Sequence, residues 1–191
     1  MTKNKSLPAS QRIDLSNPEH VYGFLFYGLE NVCDTMAAGL DKVVAEVADM
    51  SESQQNVYVQ KAYDKCFEKC YAYLHTLCEV FSGNAPEVAI YKDWDAAALG
   101  RTLRKEFAFQ LMMLPEEERE EFDTDESIVT FALNLFMQKG QQLVLRPDNN
   151  PDEAEAQAKE LHEFLIHWTE LLMQKPFPEE LKKSVSIEKT R

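Results

Sequence analysis

Glycine, proline and cysteine are scarce in this chain of 191 residues, which contains 6, 8 and 4 of them respectively. So few glycines and prolines exclude collagen-like and low-complexity chains, because these residues dominate both classes. Four cysteines fall short of the density found in disulfide-stapled secreted domains. The composition therefore indicates a globular protein in a reducing compartment, and we expect it to be cytoplasmic.

Long apolar runs are missing as well. The longest stretch without Asp, Glu, Lys or Arg covers residues 127–138, which is twelve residues. A helix that spans a bilayer needs about 20 predominantly apolar residues. The basic residues near the N-terminus are not followed by an apolar segment, so no signal peptide can be recognised. We therefore expect no membrane insertion.

Basic side chains are outnumbered: 20 Lys and Arg face 33 Asp and Glu, which gives a net charge of −13. Direct, non-specific binding to nucleic acid or to an anionic membrane needs clustered Lys and Arg, so this balance disfavours both. The charge is also uneven. Residues 1–13 carry +3 and residues 179–191 carry +1, so residues 14–178 carry −17. We expect this acidic body to prefer a partner protein with a basic surface.

Apolar residues at intervals of three and four predict two long helices at the start of the chain. The first stripe follows Pro18, a residue typical of the first helical turn, and continues to Met50. Ser51 and Gln54 resemble a capping box that begins a second stripe, which continues to Phe81.

The rest of the chain predicts shorter elements around the same core. Helices are expected over residues 95–114, 124–140 and 151–175, an acidic turn over residues 116–122, and extended pieces at residues 88–91 and 143–145. Gly140 is interpreted as the end of the helix over residues 124–140. The predicted fold is an all-α, single-domain bundle of five to six helices with long first and second helices. Residues 1–15 are predicted to be a flexible N-terminal arm, residues 16–178 the helical domain, and residues 179–191 a polar C-terminal tail.

The first two helices carry more aromatic residues than one helix–helix seam can bury. An apolar excess on the helices of a soluble protein marks a docking face or an oligomer contact. The candidate partner-binding residues are Tyr22, Phe24, Phe26, Tyr27, Tyr58, Tyr63, Phe67, Tyr71 and Tyr73. The alternative is that both helices are central and bury these side chains on two sides.

Eight of the eleven residues from 116 to 126 are acidic. Asp123-x-Asp125 superficially resembles a calcium loop, but neither the glycine at loop position 6 nor the glutamate at position 12 is present. A patch that steers a basic partner segment is therefore predicted instead of a metal site. Its residues are Glu116, Glu117, Glu118, Glu120, Glu121, Asp123, Asp125 and Glu126.

Motifs of catalysis and cofactor binding are absent from the sequence. It contains no GxGxxG, P-loop, GxSxG or HExxH pattern. Cys66, Cys70 and Cys78 do not have the close Cys-x2-Cys spacing of structural zinc sites, and they fall on helical core positions. We therefore expect no metal and no cofactor; the sequence favours a non-enzymatic protein but leaves enzymatic activity open.

The sequence thus predicts a protein–protein interaction module, such as an adaptor, a chaperone-like protein or an accessory subunit, that docks through aromatic helix faces. One alternative is a helical small-molecule-binding or metal-dependent enzyme domain, with a pocket lined by Met112, Met113, Phe131, Trp168 and a histidine. A weaker alternative is an acidic inhibitor that imitates nucleic acid. The partner and a homo-oligomeric state stay open.

Overall fold

A computed structural model describes residues 17–82, 96–146 and 150–187. Within these ranges the chain forms eight helices and no strand, so the predicted all-α fold with two long initial helices is confirmed. The helices are α1 (Pro18–Val47), α2 (Glu52–Ser82), α3 (Ala96–Glu106), α4 (Ala108–Met112), α5 (Glu116–Glu121), α6 (Asp125–Val144), α7 (Pro151–Met173) and α8 (Glu179–Ile187). The predictions for the N-terminal arm and for residues 88–91 lie outside the described residues. In the described ranges, no helix has both the length and the apolarity needed to cross a bilayer.

Local capping explains where the predicted helices begin. At α6, the Thr124 hydroxyl accepts a hydrogen bond from the Ser127 backbone N–H, and the Ser127 hydroxyl accepts one from the Thr124 N–H. At α2, the side-chain oxygen of Gln54 accepts a hydrogen bond from the Ser51 N–H at 3.2 Å. Each such cap satisfies backbone donors that have no partner inside the helix. The helix starts predicted at these positions are therefore confirmed.

The predicted end of α6 at Gly140 is wrong, because the helix continues through residues 143–144 to Val144. Gly140 is buried, and a Cβ atom placed there would lie 3.3 Å from both Cys33 Sγ and Met36 Cε of α1. The glycine therefore permits α1 and α6 to pack closely rather than ending the helix. The extended segment predicted at residues 143–145 does not form, because α6 continues to Val144 and is capped by Leu145.

The core lies where α6 meets α1, α2, α3 and α7. Phe136 of α6 is fully buried and stacks on Phe164 at 5.1 Å, and its ring meets Trp168 edge-on at 5.2 Å. Trp168 also stacks on Phe107, the residue at which the predicted third helix divides into α3 and α4. Rings of this size dominate the energetics of a core, so this cluster fixes α3, α6 and α7 relative to each other.

The burial of apolar side chains in the α1–α2 pair decreases towards the connection between the two helices. The first half of α1 is buried through residues such as Val21, Leu25 and Leu29. Towards the connection between the helices, Val44 and Val57 are 60% and 55% exposed. The distal part of this pair therefore carries apolar side chains that the bundle does not cover.

Part of the predicted C-terminal tail forms a helix that packs on the bundle. α8 covers nine residues, and Leu181 packs against the core. Lys182 forms an ion pair with Glu170 of α7, with 3.7 Å between Nζ and Oε1. The predicted domain limits at residues 15 and 178 stay predictions.

Candidate functional site

The nine aromatic residues proposed for partner binding are divided between the core and the surface. Tyr22 and Phe26 are buried, and both rings meet Phe177, at centroid distances of 5.5 and 5.9 Å. Phe24 is half-buried and packs against the same core. These three side chains hold α1 against the bundle, so they do not form an open docking face.

Three further aromatic residues are exposed or half-exposed at the surface. Tyr27 and Tyr73 are exposed on α1 and α2. Tyr58 is half-buried and donates a hydrogen bond to the Glu46 carboxylate, which raises the pKa of the Tyr58 phenol because it favours the protonated form. This hydrogen bond joins the distal ends of α1 and α2.

The remaining three aromatic residues form a continuous row on α2. Tyr63, Phe67 and Tyr71 are spaced four residues apart and therefore share one helix face. Their rings stack in sequence, with centroids 6.2 Å apart in both pairs and planes inclined by 26° and 12°. Tyr63 is exposed, and the other two are half-buried. The structure therefore brings together one third of the predicted aromatic face, which we call the α2 aromatic row.

An apolar cavity of about 230 Å³ opens at the Tyr63 end of this row. It lies between α1, α2 and α6, and we call it the α1–α2–α6 cavity. Its lining residues are Met36, Gly39, Val43, Val59, Ala62, Tyr63, Cys66, Phe67, Met137, Gln141 and Leu145. Tyr63 and Phe67 thus belong both to the aromatic row and to the cavity wall.

One polar contact lies at the wall of the cavity. The Tyr63 hydroxyl donates a hydrogen bond to Gln141 Oε1 at 2.9 Å, which ties α2 to the C-terminal half of α6. The wall is otherwise formed almost entirely by apolar side chains, so the cavity favours an apolar group over a charged one.

The cysteines line or underlie this region. Cys66 is half-buried in the cavity wall, and its Sγ lies 3.2 Å from the position of a Cβ on Gly39. Cys70 is buried, and burial, followed by the neighbouring Cys66, raises the pKa of its thiol to about 12. A thiol with so high a pKa is a poor nucleophile at neutral pH. Cys33, Cys66 and Cys70 are all outside disulfides, and the side chain of Cys78 lies outside the described part.

The predicted acidic patch lies elsewhere on the molecule. All six residues of α5 are exposed, and Asp123 beyond its end is exposed too. The end of α5 is fastened by Arg104, which donates a hydrogen bond to the Phe122 carbonyl at 2.8 Å, and by the Phe122 ring, 4.9 Å from Phe131. The side chains of Asp125 and Glu126 lie outside the described part.

The residues of the alternative pocket differ sharply in exposure. Met112 and Met113 are among the most exposed apolar side chains, whereas Phe131 and Trp168 are buried in the core. Among the described residues, no group of three or more His, Cys, Asp or Glu side chains is arranged to hold a metal ion.

Several cavity residues carried no signal as site residues in the sequence. Met137 belongs to the helix predicted over residues 124–140 and reads as an ordinary core position, whereas Gln141 falls beyond the predicted end of that helix. Gly39 offered the best clue, since a glycine inside a helical stripe often marks a close approach or a space beside the backbone.

Comparison with known proteins identifies no family model, no curated protein and no solved structure that matches this chain.

Proposed function

We propose that this protein is a non-enzymatic interaction module that docks a partner protein through the α2 aromatic row and the α1–α2–α6 cavity. The partner contributes an apolar helix or extended segment that lies along Tyr63, Phe67 and Tyr71. One apolar side chain of that segment, of the size of Leu or Phe, enters the cavity as an anchor. Large apolar anchors in pockets supply much of the energy of protein interfaces.

The observation that carries this proposal is the size of the cavity beside a half-exposed aromatic row. A dry cavity of about 150 Å³ is enough for benzene. Drug-sized ligands and cofactors occupy pockets of about 300–1,000 Å³. The volume of about 230 Å³ lies between these limits, so it accommodates a single apolar side chain better than a cofactor.

An exposed valine in the cavity wall extends the same surface. Val59 lines the cavity, is 40% exposed and stands four residues before Tyr63, so it shares the helix face of the aromatic row. Together with the aromatic row it provides an apolar centre. Exposed charges such as Lys61, Asp64 and Glu68 surround it as a polar rim. An apolar centre with a polar rim is the common anatomy of a protein interface.

We place this interaction in the cytoplasm. Cys33, Cys66 and Cys70 are thiols packed in or beside the core, as expected of a protein in a reducing compartment. The net charge of −17 over residues 14–178 would increase the rate of encounter with a basic partner, and this long-range effect weakens with salt.

The proposal is tested by affinity purification from the native cell with three forms of the protein. Ala62→Leu places a larger side chain in the cavity wall, and Tyr27→Ser alters an exposed aromatic residue of α1 outside that wall. We expect a protein that the unmodified chain and Tyr27→Ser retain equally, and that Ala62→Leu retains at least tenfold less. Recovery of the same proteins in equal amounts with all three forms would contradict the proposal, provided circular dichroism shows that each form is folded.

A small apolar ligand is the second candidate for the same cavity, because its lining is apolar and the volume exceeds that needed for benzene. Mass spectrometry of native protein purified under non-denaturing conditions distinguishes the two. A stoichiometric small molecule that Ala62→Leu excludes would replace the docking proposal with ligand binding.

A further inference from the structure

A second uncovered apolar surface lies on α4, away from the α1–α2–α6 cavity. Phe109, Met112 and Met113 are each 71% exposed, which makes them the most exposed large apolar side chains of the described residues. They are spaced three and four residues apart and therefore share one face. Leu111 and Leu114 point the other way and pack against the core. We call the three exposed residues the α4 surface.

The exposed apolar area of the α4 surface is larger than that of a single exposed apolar residue. A large aromatic side chain has about 150–250 Å² of accessible area, so three large side chains at this exposure present on the order of 400 Å². The largest apolar patch on a typical monomer is about 300–600 Å² and is often functional. Met side chains are flexible and polarizable, which lets such a surface adapt to the shape of a partner.

The charge next to the α4 surface limits what can cover it. Four residues separate Met112 from Glu117 on α5, whose six residues are all exposed and include Arg119 as the one base. Over residues 101–126, nine acidic side chains face four basic ones, a net charge of −5. One of the four bases, Arg104, is held at the Phe122 carbonyl and so fastens the acidic segment close to α3 and α4.

We propose that the α4 surface and α5 together bind a basic amphipathic helix of a partner protein. The apolar face of that helix covers Phe109, Met112 and Met113, and its Lys or Arg side chains face the carboxylates of α5. Helices of this kind commonly dock by laying an apolar face into an apolar surface. A second copy of this chain is a poor occupant, because a two-fold contact across α4 would bring two acidic α5 segments together.

The test uses the full chain and a synthetic probe: an 18-residue, fluorescein-labelled peptide of Leu and Lys with Leu at helical spacing. A second peptide has the same composition in scrambled order, so its charge is unchanged but its apolar face is lost. Binding is measured by fluorescence anisotropy at about 0.15 M salt. We expect the amphipathic peptide to bind at least tenfold more tightly than the scrambled one.

Three variants locate the binding site. Phe109→Gln and Met112→Gln should each weaken binding of the amphipathic peptide at least fivefold without loss of fold, because both side chains are largely exposed. Glu117→Gln combined with Glu120→Gln should reduce the affinity and flatten its dependence on salt. Val57→Gln, on α2, is the matched control and should leave the affinity unchanged.

Several results would overturn this proposal. Equal binding of the two peptides would mean that net charge alone attracts them. Unchanged affinity in Phe109→Gln and Met112→Gln would place the contact elsewhere. Sedimentation equilibrium that shows a dimer of the unmodified protein, dissociated by Phe109→Gln, would assign the α4 surface to a second copy of the chain. None of these outcomes affects the cavity proposal, whose test uses Ala62→Leu.

Discussion

Ala62→Leu should close the α1–α2–α6 cavity without destabilising the protein. Leu adds three carbon atoms to a half-buried position in the cavity wall. At about 0.8 kcal/mol for each buried methylene, complete burial would contribute about 2.4 kcal/mol. Strain from imperfect fit costs about 1–3 kcal/mol in a filled core, but less where space already exists. We therefore expect the free energy of unfolding to change by between about 0 and +2 kcal/mol.

Urea denaturation followed by circular dichroism measures this change, with an unaltered m-value as the sign that the folded state stays compact. Phe136→Ala is the contrasting variant, because Phe136 is fully buried where no cavity is available. Its removal should cost about 3–5 kcal/mol. A loss of more than about 1 kcal/mol in Ala62→Leu would refute the reasoning, since it would mean that the space beside Ala62 cannot receive a larger side chain.

Benzene provides an independent readout of the cavity, since an apolar cavity of this size binds such molecules. Met36 and Met137 line the cavity, so their labelled methyl groups should show saturable chemical-shift changes on addition of benzene. The exposed methyl group of Met112 serves as the internal control. Ala62→Leu should abolish the changes at the first two methionines. Unchanged shifts in that variant would show that benzene binds outside the cavity.

Three further predictions concern packing and ionisation. Gly23→Ala should stabilise the protein by about 0.5–1 kcal/mol in urea denaturation, because a Cβ there meets nothing within 4 Å and alanine favours the helix. Gly140→Val should destabilise it by about 1–3 kcal/mol in the same assay, since a Cβ there already lies 3.3 Å from Cys33 Sγ. Burial raises the pKa of Cys70 from 9.0 to about 12, so the stabilising effect of its protonated thiol is fully present below pH 9 and is lost as pH rises towards 12. Stability measured between pH 8 and pH 11 should therefore fall less steeply in Cys70→Ala than in the unmodified chain, and equal slopes would contradict this assignment.

The boundaries of several helices could be predicted because their causes are local. Thr124 and Ser127 satisfy each other's backbone donors within four residues, so α6 begins where the sequence indicates. Pro151 stands at the first turn of α7 after Asn150, whose side chain accepts a hydrogen bond from the Glu153 N–H. No knowledge of the rest of the fold is needed to recognise such signals.

The role of Gly140 could not be predicted, because it depends on a neighbour that is distant in sequence. Glycine near the end of an apolar stripe reads as a helix terminus. In the structure it lies against Cys33 and Met36, about one hundred residues earlier in the chain, and the helix continues. The cavity could not be predicted either, because its wall combines residues of three helices that are distant in sequence. Periodicity assigns Met137 to a buried face but does not reveal whether that face is completely filled.

The division of the aromatic residues follows from helix geometry rather than from residue type. Tyr22 and Phe26 are spaced by four and face the C-terminal part of the chain at Phe177. Tyr63 and Phe67 have the same spacing, but they lie on the part of α2 where the bundle beneath is incomplete. Aromatic spacing alone therefore predicts a face, whereas the elements packed against that face decide whether it is covered.

The sequence-based hypothesis combined apolar docking and acidic attraction in one interface. In the structure, the acidic residues and the cavity are found at different parts of α6. The acidic helix α5 precedes the N-terminus of α6, whereas the cavity is lined by Met137 and Leu145 at its other end. Met137 lies twelve residues after Asp125, the first residue of α6, so at about 1.5 Å per residue these two residues are about 18 Å apart along the helix. Electrostatic interactions between exposed charges decay over about 8 Å at physiological salt. We therefore expect the carboxylates next to α4 to act more on a segment bound at the α4 surface, which directly precedes α5 in the chain, than on one bound in the cavity. On the two proposals made above, a basic partner segment should gain most from α4 and α5, while an apolar anchor with little charge suits the cavity.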